Sequence, residues 1–264
     1  MSTTAARANP DSEQPQPPGA GQPPAGGAIT VASYNIHAWV GSDRRRDPER
    51  TAAVIRSLGA DVVGLQEVTW PRLASGQPDP GFLQRATGML AVAGPTMLRA
   101  DADFGNALLS AHPVLRVRRL ELTWPGREPR GALDVELDVT GRRLRVITTH
   151  LGMRSAERRL QARMIAAALD RDQPGPVVVM GDMNEWLPLR RTFHPIEARL
   201  GKAPAPASYP ARWPLLRLDR IWTRPAARLQ GVFAVASGEA RRASDHLPVV
   251  GHLAAEPVAG DEES

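Results

Sequence analysis

A set of polar residues stands where apolar runs stop. Asn35 and His37 follow ITVASY, Glu67 follows DVVGLQ, and His150 follows RVITT. Asp182 and Asn184 follow VVVMG, Asp219 lies in RLDRIW, and Asp245 and His246 precede LPVVGHL. Carboxylates and an asparagine are hard oxygen ligands, which suit Mg²⁺ or Mn²⁺ better than zinc. Histidines beside such a site can serve as acid, base or oxyanion stabiliser. A hard metal, two imidazoles and basic surroundings together point to hydrolysis of a phosphoester. Each piece alone has an ordinary reading: Asp182 as a helix cap, Asn184 in a turn, His150 as a satisfied core histidine. Their joint occurrence at strand ends is what argues for chemistry.

Strands and helices must bring these residues together. Ile29–Tyr34 reads as a strand. Asp47, Pro48 and TAAVIRSL read as an N-cap, a proline at the first helical position and an amphipathic helix that Gly59 ends. Asp61–Leu65, Phe104–Leu109, Val114–Leu122 and Leu133–Val139 read as strands, and Gly141 turns the chain into Leu144–Thr149. Ser155–Asp170 reads as a helix with Leu160, Met164, Ala167 and Ala168 inward and Arg158, Arg159 and Arg163 outward. Val177–Met180, Arg217–Trp222, Leu229–Val235 and Leu247–Gly251 complete the strands. Many strands with a few interspersed helices predict α/β or α+β with a mixed sheet. In such sheets the carboxyl ends of neighbouring strands form a crevice, where the polar set would converge.

Composition narrows the function classes. The 264 residues hold no cysteine, which excludes disulfides, cysteine-ligated metals and thiol catalysis. Lys202 is the only lysine among 33 basic residues, so the basic character is arginine. Residues 1–28 carry net charge −1 and residues 254–264 carry −4, which leaves +10 between them. A basic core suits an anionic substrate, and a compositional preference for arginine explains it equally well. Residues 1–28, with six prolines and four glycines, are expected to be a disordered tail, as is the acidic 254–264. That leaves 29–253 as one catalytic domain. No apolar run reaches eighteen residues and no signal peptide is evident, so the expected location is cytoplasmic and the expected state a monomer.

SYNIH, LQEV, THLG, GDMNEW, LDRIW and SDHLPV occur in an order that resembles the endonuclease/exonuclease/phosphatase superfamily, the group of pancreatic deoxyribonuclease. GNALLS and EPRGAL are similar to its unassigned bacterial branch. The resemblance implies a four-layered α/β sandwich: two mixed β-sheets packed face to face with flanking helices. It implies Mg²⁺ or Mn²⁺ as cofactor, with Asn35, Glu67 and Asp245 on the metal side. It implies catalytic roles for His150, Asp182, Asn184, Asp219 and His246. Asp182 would orient water, Asn184 and His150 would hold phosphoryl oxygens, and Asp219 would fix the tautomer of His246. His150 fits deoxyribonuclease-like and sphingomyelinase-like members better than abasic-site repair enzymes.

On the substrate side the candidates are Asn106 in GNALLS, Arg130 in EPRGAL and Trp213 in the proline-rich loop 203–217. Arg130 could equally make a structural salt bridge, and Trp213 could equally anchor its loop. Trp39, Trp70 and Trp186 sit beside motif residues, where aromatics could rim a cleft, stack bases or enter a lipid headgroup region. The expected activity is a metal-dependent phosphodiesterase acting on nucleic acid or a phospholipid headgroup. The alternatives are a small-molecule phosphatase and an inactive relative that binds nucleic acid.

Overall fold

The computed structural model describes residues 28–71, 79–98, 102–171, 175–187 and 191–255. The terminal segments read as tails lie outside the described residues, apart from residues 28, 254 and 255. In chain order the strands are β1 (Ile29–Asn35), β2 (Val62–Trp70), β3 (Leu90–Leu98), β4 (Asp103–Ser110), β5 (Val114–Glu121), β6 (Gly131–Val139), β7 (Arg142–His150), β8 (Val177–Asp182), β9 (Asp219–Arg224), β10 (Leu229–Ala234) and β11 (Val249–Leu253). The α-helices are α1 (Pro48–Ser57), α2 (Gly81–Thr87), α3 (Ser155–Asp170), α4 (His194–Leu200) and α5 (Gly238–Ala243). None of them is long and apolar enough to cross a membrane.

Two mixed sheets form, in the orders β10-β11-β1-β2-β4-β3 and β5-β6-β7-β8-β9. Period-two alternation explains why they stack. In β1, Val31 points between the sheets, while Ala32 and Tyr34 point to the outer layer holding α1, α2 and α5. In β8, Val178 and Met180 point between the sheets, while Val177 and Val179 face α3 and α4. The result is an α/β sandwich of four layers with three apolar clusters, one between each pair of layers. Burying each Val or Leu there stabilises the fold by roughly 1.5–3 kcal/mol relative to exposure.

The layers set the site by direction. β1 and β2 run parallel, and so do β7 and β8, each pair bringing its carboxyl ends to one edge. β9 runs antiparallel to β8 and starts there, with Asp219 opposite Asp182. β11 is antiparallel to β1, so the residues leading into it reach the same edge.

Two local readings are corrected. The strand expected over Asp61–Leu65 runs on through Trp70. Polar Gln66 does not end it, because its buried amide reaches across to Thr148 of the facing sheet, 3.3 Å away. A bulge between Leu65 and Val68 absorbs Glu67, whose φ of 58° turns its side chain to the edge. In α3 the buried face is Glu157, Arg158, Gln161, Ala162, Ile165, Ala166, Ala168 and Leu169. Ala167 is exposed and Leu160 and Met164 are half-buried, so the inward stripe lies about one position from the expected one. Arg158 turns in because a carboxylate awaits it. Helix α1 matches its sequence signal: Asp47 accepts a 2.9 Å hydrogen bond from the Arg50 amide and Pro48 opens the helix.

Gly64 is where the sheets come closest to the site. A methyl group there would collide with the Thr148 side chain and touch the Met180 methyl at 3.0 Å. Gly64→Ala should therefore destabilise the fold by about 1–3 kcal/mol, read as a lower urea midpoint. An unchanged midpoint would mean the sheets have slack there.

Candidate active site

Asp182 is the hub. It ends β8 and is buried, and its Oδ1 accepts the Asn184 backbone N–H at 2.9 Å. Its Oδ2 accepts from Asn35 Nδ2 at 3.0 Å and lies 3.5 Å from His150 Nε2 and 3.6 Å from His246 Nε2. The backbone permits this because residue 181 is glycine. Gly181 has φ 152°, and a side chain there would run into the Thr149 carbonyl of β7. Asn184 then sits at φ 50°, a left-handed conformation that asparagine tolerates better than most residues.

The two histidines differ in charge. His246 Nδ1 donates to Asp219 Oδ2 at 2.9 Å, and Asp219 also accepts from Ser208 Oγ at 2.5 Å. Burial opposes the charge on His246. Asp219 and Asp182, the hydrogen bond to Asp219 and nearby Asp245 outweigh it and hold the pKa up to about 10. His150 is buried, and that burial is the largest cause of its fall to about 3; Arg130 and His246 add to it, while Asp182 opposes. Arg130 Nη1 stands 3.2 Å from His150 Nδ1, and a guanidinium only donates. His150 Nε2 lies beside Asp182 and 2.9 Å from Asn184 Nδ2, so donors face both ring nitrogens and a neutral ring accepts from one of them. One neutral and one cationic imidazole thus flank the same carboxylate oxygen.

These histidines shape stability in opposite ways. The His246 contribution is fully present below pH 6.5 and is lost as pH rises toward about 10. Neutral His150 costs stability as pH falls from 6.5 toward about 3, because the unfolded chain takes up the proton first. Stability measured in EDTA should peak near pH 6.5, with an acid limb that flattens in His150→Gln. An acid limb unchanged in that variant would contradict the neutral assignment.

The metal-side candidates meet Asp182 through Asn35, whose Nδ2 also donates to Glu67 Oε1 at 3.0 Å. The Glu67 carboxyl is raised chiefly by burial and further by Asp245 and Asp182, against the hydrogen bond from Asn35 and the nearby His37. Carboxylates gathered around one amide, with that repulsion, fit a hard divalent cation. His37 reaches the rim, 3.9 Å from Asp245 Oδ1 and 3.0 Å from the Val40 carbonyl. Among the described residues, Asp182, Asp219 and His246 also bring one ligand atom each within 4.8 Å of one another and could hold a divalent ion. The short contact inside that trio is the Asp219–His246 hydrogen bond, which already engages the facing atoms.

Of the substrate-side candidates, two come to the site. Asn106 and Arg130 line a narrow pocket with Glu67 and His150, and Arg130 also pairs with Glu128 at 3.3 Å. Asn106 donates to the Gly131 carbonyl at 3.0 Å. Trp213 does not join them. It is 71% exposed, and Ser208 and Ala211 are the buried residues of its loop. Trp39 and Trp70 are buried in the outer core and line a separate cleft with Phe82 and Leu83, away from the catalytic candidates. Trp186 is exposed and packs edge-on against Tyr209, whose ring lies 4.8 Å from that of His246.

Sequence reasoning passed over three supporting residues, Ser208, Ser244 and Glu185, and did not place Tyr209 against His246. Ser208 fixes Asp219, and Tyr209 covers His246. Ser244 donates to the Asn35 carbonyl at 2.7 Å and accepts from the His246 amide at 3.2 Å. Glu185 holds the loop after Asn184 by accepting from Arg158 at 3.1 Å, from Thr192 at 2.5 Å and from the Leu187 amide at 3.1 Å. The signal was present in SDH and NEW, where Ser244 and Glu185 stand beside catalytic candidates.

Known proteins share this chain's sequence pattern and fold. The model of the Endonuclease/Exonuclease/phosphatase family matches residues 32–246. Protein YbhP of Escherichia coli K12 is 32% identical over 244 residues, spanning 84% of this chain and 94% of the relative. The crystal structure of an endonuclease/exonuclease/phosphatase from Beutenbergia cavernae superposes with a TM-score of 0.66 at 23% identity, over 86% of this chain and 71% of that one. One from Bacteroides vulgatus reaches 0.70 at 17% identity, over 87% and 99%.

Proposed function

The chain belongs to the endonuclease/exonuclease/phosphatase family, and from that premise we propose that it is a Mg²⁺- or Mn²⁺-dependent phosphodiesterase. The observation that carries the reading is the pair of imidazoles, His150 and His246, whose Nε2 atoms lie 3.5 and 3.6 Å from Asp182 Oδ2. A phosphoryl group entering beside Asp182 would meet donors on both sides. The His246 imidazolium would bind a nonbridging oxygen and offset developing charge, and His150 would donate to another. Asn184 and Arg130 would hold the His150 ring in place. Asp182 would orient a water for in-line attack and accept its proton. Asp219 would hold the His246 ring and its charge. A divalent cation, held by Glu67 with Asn35 and Asp245, would supply Lewis-acid polarisation of the phosphoryl oxygen.

A diester carries one negative charge, which suits a site whose Arg130 is shared with Glu128. The test sets bis-p-nitrophenyl phosphate, p-nitrophenyl phosphate and plasmid DNA side by side, with Mg²⁺ or Mn²⁺ and with EDTA. His246→Ala is the control in each. Metal-dependent, His246-dependent cleavage of the diester supports the proposal. Cleavage of the monoester alone would replace it with a phosphatase. Folded protein that turns over none of the three would count against it.

A further inference from the structure

Eight large apolar side chains are exposed among the described residues, and five stand on three loops beside the catalytic opening. Met153 follows His150 on the loop after β7, and is 57% exposed. Trp186 and Leu187 follow Asn184 on the loop after β8. Trp213 and Leu215 lie on the loop that carries Ser208 and Tyr209, exposed 71% and 77%.

The loops form one crest. Arg158 donates to the Met153 carbonyl at 2.6 Å and to Glu185 at 3.1 Å, joining the first loop to the second. Trp186 meets Tyr209 with ring centroids 5.7 Å apart, joining the second to the third. The Leu215 amide donates to the Tyr209 carbonyl at 2.9 Å, and Tyr209 packs on His246. The crest is therefore continuous with the catalytic histidine.

Its exposed charges have one sign. Arg154 stands beside Met153, and Lys202, Arg212 and Arg217 lie on or beside the third loop, all exposed. Residues 202–218 contain no Asp or Glu, and the one acidic residue of the second loop, Glu185, is buried against Arg158. Tryptophan, leucine and methionine interleaved with arginine match a bilayer interface with anionic headgroups, where apolar tips enter the acyl boundary and cations meet phosphate. Nucleic acid would reward the tryptophans and the arginines, but not the exposed Leu187, Leu215 and Met153.

We propose that this crest seats the catalytic opening on an anionic phospholipid surface, so that the phosphoester cleaved belongs to a lipid headgroup. The substrate half of the proposal rests on the phosphoesterase reading; the docking half does not. The experiment is co-sedimentation of the full chain with vesicles of phosphatidylcholine containing about a quarter phosphatidylglycerol, and with vesicles of phosphatidylcholine alone. The wild type should sediment with the mixed vesicles and less with the neutral ones. Leu187→Ser/Leu215→Ser should weaken vesicle binding about tenfold or more, while turnover of soluble bis-p-nitrophenyl phosphate stays within about twofold. Arg154→Glu/Arg212→Glu should weaken binding to the mixed vesicles only. A wild type that stays in the supernatant at millimolar lipid would overturn docking. So would a leucine variant that sediments like wild type, or one that loses soluble turnover in parallel. A single-stranded oligonucleotide that binds tightly and depends equally on Leu187 and Leu215 would assign the crest to nucleic acid instead. Catalytic silence on all soluble substrates with intact vesicle binding would sink the phosphoesterase reading and leave the docking surface standing.

Discussion

Asp182→Asn should lower kcat/KM on a phosphodiester by about a thousandfold, with a melting temperature close to that of wild type. The substitution keeps the size of the side chain and the acceptor for the Asn184 amide. It removes the charge and turns an NH₂ group toward Asn35 and His246, which present donors to Oδ2, and toward the nearby His150 ring. Water loses its orienting acceptor, and the two imidazoles lose the anion between them. Steady-state kinetics with Mg²⁺, alongside thermal unfolding, reads both effects. Turnover within tenfold of wild type would remove Asp182 from the centre of the chemistry. A large fall in melting temperature would make it a structural residue first.

Asp219→Asn carries the second large expectation, a loss of about 10³–10⁴ in kcat, the scale on which a triad's histidine suffers when its acid becomes an amide. Asp219 is fully buried and touches no opening, so it acts through His246 alone. Against a charge-opposing burial, Asp219 is the largest cause that raises His246. Without it the imidazolium loses its proton at lower pH. The deficit relative to wild type should therefore widen as pH rises and narrow as pH falls, a signature a packing defect would not give. A pH-independent deficit would mean that Asp219 merely fills space.

The sequence made the chemistry more legible than the scaffold around it. Strand ends were visible because continuous apolar runs such as VVVM give way abruptly to GDMN. Convergence followed from one rule, that parallel strands bring their carboxyl ends to one edge. The bulge at Glu67 was not legible, since Gln66 and Glu67 read as the end of a strand. The partners that hold Gln66 inside, Thr148 of the facing sheet, the Gly64 carbonyl and Ser33, come together only in the fold. Strand β3 was missed because LAVAGPTML is half-exposed, lacks alternation and contains a proline. Helices α2, α4 and α5 span six or seven residues, too few for periodicity to register. In α3 the buried Glu157, Arg158 and Gln161 broke the assumption that charge marks the outer face. Their partners, Glu185, Gly152 and Leu122, lie elsewhere in the chain, and no local pattern announces them. Trp213 shows the converse, an aromatic whose exposure only the folded loop reveals.

In the proposed site a divalent cation lies on the Glu67 side of the opening and an imidazolium on the Asp219 side. Calorimetric titration of Mn²⁺ into wild type, Glu67→Gln and Asp219→Asn tests that layout directly. The wild type should bind the ion, Glu67→Gln should bind it at least about tenfold more weakly, and Asp219→Asn should bind it within about twofold of wild type. Loss of the ion in Asp219→Asn with retention in Glu67→Gln would instead put it among Asp182, Asp219 and His246 and contradict the imidazolium.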